Sequence, residues 1–128
     1  MKQSYLDVDK HWGIVIVTDF DVVSEQVELK AQLRSFGLSN ANANKALDVL
    51  SKYNTGMTVS VPELRMSAVY IGRATSSSEF WSTLNHELYH CCVAIIDYYG
   101  EPYNKEPAAY LQGELMRLAV EAIGEPCR

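Results

Sequence analysis

The sequence predicts an α+β domain in which helices pack on a small sheet. Three observations carry that expectation. One β-branched run, Gly13-Ile14-Val15-Ile16-Val17-Thr18, reads as a buried strand. Two shorter stretches, Met57 to Val61 and Met66 to Gly72, alternate with the period of two that strands show. Longer segments on both sides of these keep apolar residues at helical spacing. At 128 residues the chain is long enough to build one core of its own. It contains no internal repeat, low-complexity tract or linker, so residues 1–128 read as a single domain.

Asp19 and Asp21 punctuate the first strand. Val22, Leu29, Leu33 and Phe36 then recur at helical spacing, and Gly37 offers a stop. Ser39 or Asn40 is positioned to cap a second helix. Its apolar face would be Ala43, Ala46, Leu47, Leu50 and Tyr53, and Asn54-Thr55-Gly56 would end it. The two alternating strands come next, with Pro62-Glu63 as the turn between them. Ser76-x-x-Glu79 is a capping box, which starts a helix just before Phe80. That helix should run to about Tyr99, with Gly100 as terminator. Trp81, Leu84, Leu88, Cys91 and Ile95 gather on one side of it as a core stripe. Gly100 to Lys105 reads as a loop, and Glu106 to about Ile123 as the last helix.

Opposite that core stripe lie His86 and His90, the ends of an H-E-x-x-H sequence, His86-Glu87-Leu88-Tyr89-His90. On a helix, residues four apart share a face, so both imidazoles can reach one metal ion. The glutamate between them projects about 100° away, beside the position of a reacting water. Catalytic zinc takes three protein ligands and keeps one position open. His86 and His90 supply two. Asp97 shares their face but lies about 10 Å further along the axis, out of reach of the same ion. Glu101 would need a sharp reversal of the chain. Glu106 follows a loop able to run back about 20 Å. Glu114 would come level with the metal if the last helix is antiparallel.

His86-Glu87-Leu88-Tyr89-His90, then Asp97-Tyr98-Tyr99-Gly100, then Asn104-Lys105-Glu106-Pro107-Ala108-Ala109-Tyr110 resembles the zincin-type metallopeptidases called gluzincins, and most of all their small phage-encoded members. The resemblance spans roughly residues 66 to 118. It implies a minimal zincin-like metallopeptidase domain, with an active-site helix and a following glutamate helix that form the cleft. It implies zinc held by His86, His90 and Glu106, with Glu87 as general base. Pro107 directly after Glu106 departs from the family pattern. It suits a first helical position but biases Glu106 toward extended backbone. Glu114 is the alternative third ligand. Tyr110, one turn after Glu106, is the best-placed tyrosine to donate to the developing oxyanion or to orient a ligand histidine, with Tyr103 a weaker choice. The resemblance also implies that the strand around Ala68 to Gly72 is an edge along which an extended peptide docks.

Composition narrows the partners. The net charge of −5 argues against nucleic acid. The first residues lack the apolar stretch of a secretion signal, and the apolar run from Cys91 to Ile96 is too short to span a membrane. Three cysteines, two of them adjacent, suit reduced thiols in a cytoplasmic compartment. The expected activity is therefore zinc-dependent hydrolysis of a peptide or protein substrate. The rival readings are a zinc-containing binding or regulatory module without turnover, and a metal-assisted amidohydrolase acting on a non-peptide substrate.

Overall fold

The computed structural model describes residues 1–8, 12–100 and 106–124, with the side chain of Glu106 outside that set. His11, Glu101, Tyr103 and Cys127 lie outside the described residues. The fold is α+β, a mixed four-stranded sheet with helices on both faces. The chain runs β1 (Lys2–Val8), β2 (Trp12–Thr18), α1 (Gln26–Ser35), α2 (Asn40–Leu50), β3 (Gly56–Val61), a 3-10 turn (Pro62–Leu64), β4 (Met66–Ile71), α3 (Ser77–Tyr99) and α4 (Glu106–Ile123).

Strand order is β1-β2-β4-β3. β1 pairs antiparallel with β2, β3 pairs antiparallel with β4, and β2 and β4 pair in parallel, with Ile16 opposite Val69. β2 and β4 are thus central. Their runs of apolar residues are buried on both faces, as a doubly covered strand requires. The expected docking edge around Ala68 to Gly72 is corrected here: β4 is enclosed between β2 and β3, and among the described residues the edge strands are β1 and β3. β1 was not foreseen. Ser4, Leu6 and Val8 point inward in alternation, but the inward serine hides the apolar period.

The two faces of the sheet carry separate cores. Val15, Val17, Phe20, Ala68 and Tyr70 meet Leu29 and Leu33 of α1 and Ala43, Ala46, Leu47 and Leu50 of α2. Ile14, Ile16, Val69 and Ile71 meet Leu84, Leu88, Cys91 and Ile95 of α3. Each fully buried leucine among these contributes about 1.5–3 kcal/mol. α4 closes the same layer through Ala108, Leu115, Ala119 and Ile123. Tyr53, expected in the α2 stripe, is exposed because α2 ends at Leu50. Trp81 is only partly buried, and Phe80 beside it takes the core position.

Local signals explain the helix ends. Ser39 Oγ accepts from the Asn42 amide at 3.1 Å and caps α2. Ser76 Oγ accepts from the Glu79 amide at 3.1 Å and caps α3. Gly100, at φ 73°, ends α3 in the left-handed region that glycine tolerates best.

Candidate metal centre

The site begins with the direction in which α3 faces. Leu84, Leu88, Cys91 and Ile95 bury one side of it, which leaves His86 and His90 on the exposed side. One helical turn brings the two rings together. Their centroids lie 5.0 Å apart at 78°, and the two Nε2 atoms are 3.3 Å apart. Two nitrogens bound to one tetrahedral zinc at about 2.0–2.1 Å are held about 3.3–3.4 Å from each other. The pair therefore has the spacing of one edge of a zinc tetrahedron, and an imidazole pair suits that ion.

Glu87 behaves differently from its neighbours. It is only 6 % exposed, a rare state for a carboxylate and a costly one without partners. Its partner comes from the edge strand. Thr58 Oγ1 donates to Glu87 Oε1 at 2.8 Å and lies 3.2 Å from the Glu87 backbone oxygen. The other carboxylate oxygen, Oε2, lies 3.9 Å from His86 Nε2. The alternation of β3 turns Gly56, Thr58 and Ser60 toward α3, and Met57 and Val59 toward α2. Gly56 is the close approach. A Cβ there would sit 2.8 Å from Glu87 Cγ, 2.9 Å from Thr83 Cγ2 and 3.1 Å from Glu87 Oε2. Only glycine leaves room for this carboxylate.

Beneath Glu87 the layer stays polar but satisfied. Trp12 Nε1 donates to Ser67 Oγ at 3.1 Å, and Ser67 and Ser60 share a 2.7 Å hydrogen bond across the β3–β4 pair. Cys91, one turn after Glu87, is fully buried, and burial pushes its thiol up to about 12. Its thiol is therefore unreactive.

The remaining expected residues fall as follows. α4 opens at Glu106, with Pro107 in its first turn, so the backbone of the expected third ligand stands at a helix start. α4 packs on α3 through Gln112 Nε2, which donates to Asn85 Oδ1 at 3.1 Å, and through the Cys92 thiol, which faces the Ala108 carbonyl at 3.7 Å. Glu114 is held by Arg117, at the (i, i+3) spacing on the α4 surface. Among the described residues no three His, Cys, Asp or Glu side chains form a group that could hold a metal ion. Tyr110 lies on α4 and is 74 % exposed. Tyr89, at 53 % exposure, tilts its ring against His90 with centroids 6.3 Å apart.

Sequence reading missed Thr58 and Gly56. Gly56 looked like the end of a helix and Thr58 like the polar half of an alternating strand. The alternation was the available signal, since it puts both on one face. Which helix that face meets is a tertiary fact.

Comparison of the chain with family models, with curated proteins and with solved structures finds no significant match.

Proposed function

We propose that this chain is a zinc-dependent metallopeptidase with a zincin-like domain of the gluzincin type. The observation that carries the reading is the approach of His86 Nε2 and His90 Nε2 to 3.3 Å, with Glu87 Oε2 3.9 Å from the first of them. His86, His90 and Glu106 would hold the ion; Ala108, in the first turn of α4, lies against Cys92, two residues after His90. Zinc bound there supplies a Lewis acid that makes water nucleophilic near neutral pH.

The chain's own residues do the rest. Glu87 takes a proton from the attacking water as its oxygen bonds to the peptide carbonyl carbon. It returns that proton to the leaving nitrogen as the C–N bond breaks. Tyr110 is the candidate donor to the carbonyl oxygen, where negative charge develops. Among the described residues β3 has one unpaired side, so an extended peptide can add to it as a further strand, next to Glu87. The buried, unpaired thiols of Cys91 and Cys92 fit a reducing, cytoplasmic setting. No helix among the described residues is long and apolar enough to cross a membrane.

The test is metal content and turnover together. Purified protein should retain about one zinc per chain, and His86→Ala or His90→Ala should lose it. Glu87→Gln should keep the zinc and remove cleavage of a mixed peptide library. Protein without zinc, and without any cleavage that Glu87→Gln abolishes, would overturn the reading. Zinc retained with no turnover on peptides or small amides would point instead to a binding module.

A further inference from the structure

A carboxylate on an exposed helix face chooses its own rotamer, whereas Glu87 does not. Three contacts from β3 constrain it. Thr58 Oγ1 donates to Oε1 at 2.8 Å, the same hydroxyl sits 3.2 Å from the Glu87 carbonyl, and Gly56 leaves a gap that the Glu87 side chain fills. Thr58 and Glu87 are 29 positions apart in the chain, so nothing local to α3 imposes this arrangement. With Oε1 tied to a hydroxyl, Oε2 is the oxygen turned toward His86. Gly56 lies on the same side, since its added Cβ would come 3.1 Å from that Oε2.

We infer that Thr58 is a positioning residue: its hydroxyl pins one oxygen of Glu87 so that the other alone is presented to the histidine pair, in a slot that Gly56 keeps open. The inference rests on the peptidase reading for its functional meaning. It concerns the chain's own groups, and it can be measured on metal-free protein.

Thr58→Val keeps the shape of the side chain and removes the donor. Thr58→Ser restores the donor. In metal-free protein, a crystal structure of Thr58→Val should find Glu87 rotated away from its approach to His86, and Thr58→Ser should find it back. A double-mutant cycle on unfolding, with Thr58→Val and Glu87→Ala, should give a coupling of about tenfold in the unfolding constant, as expected for a hydrogen bond to a charged group. In zinc-loaded protein, Thr58→Val should lower kcat about ten- to a hundredfold with KM within twofold and zinc content unchanged. Thr58→Ser should recover most of kcat.

An unmoved Glu87 in Thr58→Val, or a coupling indistinguishable from one, overturns the inference. So does a Thr58→Val enzyme with full kcat, or one whose loss Thr58→Ser fails to repair. Wild-type protein that holds zinc but cleaves no peptide would sink the peptidase reading alone, and the structure and the cycle would still decide what Thr58 does.

Discussion

On the α1–α2 side of the sheet the buried layer is almost all hydrocarbon: Val15, Val17, Leu29, Leu33, Leu47, Leu50 and Ala68. The phenol of Tyr70 is the exception among these. Its ring is buried, its hydroxyl donates to Gln32 at 2.8 Å, and burial pushes its pKa up. On the α3–α4 side the layer also encloses Glu87, Ser67 and the Cys91 thiol. The contrast separates two tasks. A close-packed apolar layer supplies stability. A buried carboxylate costs stability unless it is held, and it survives only where hydrogen bonds and a fitted space hold it. The side that bears this cost is also the side whose helix carries the histidine pair.

The largest expected effect tests that division directly. Glu87→Gln keeps the shape and removes the base. Under the proposed function, kcat/KM falls by about 10²–10⁴, while the denaturation midpoint stays level or rises. A variant that loses stability and activity together would show that Glu87 supports the fold. Leu33→Ala, in the apolar layer, should do the reverse. It should cost about 2–5 kcal/mol of stability by chemical denaturation, with zinc affinity unaltered. Gly56→Ala comes next. Its methyl group would meet Glu87 and Thr83, so a loss of about 1–3 kcal/mol is expected. Activity should drop by more than that destabilisation explains. The smallest signal at neutral pH is at Cys91. Burial lifts its pKa from 9.0 to about 12, so the folded state holds the proton more tightly than the unfolded chain. The resulting stability is complete below pH 9 and is lost as pH rises from there toward 12. A denaturation series from pH 8 to 11 should slope downward, and Cys91→Ala should flatten that slope.

The same contrast explains what could be read in the sequence. The apolar side was largely visible. β2 announced itself by its β-branched run, and Leu29, Leu33, Ala43, Ala46, Leu47 and Leu50 fell on the faces expected of them. α3 was legible from its serine cap to its glycine stop, because both signals are local. The histidine pair followed from that helix, since four-residue spacing fixes their proximity. What could not be read depends on neighbours that sequence order does not reveal. β4 was expected at an edge, but its parallel pairing with β2 encloses it. Glu87 was expected about 100° round the helix from the histidines, but the strand that covers it, β3, was not visible from α3 alone. Thr58 gained its importance only from that covering strand.

The sheet consists of two ribbons, each paired between strands close in sequence and joined only where β2 meets β4 in parallel. The ribbons can form early, because their loops are short to close. The seam between them cannot, since it waits for α1 and α2 to be laid down. Gly13 donates to the Arg65 carbonyl at 2.9 Å at one end of that seam. Thr58 rides on the later ribbon, whereas much of the layer beneath α3 belongs to the earlier one. The hydroxyl that meets Glu87 therefore comes from the ribbon across that seam from β1 and β2. Because α3 follows β3 in the chain, the Glu87 carboxylate meets its hydroxyl partner only once the helix packs back across that ribbon.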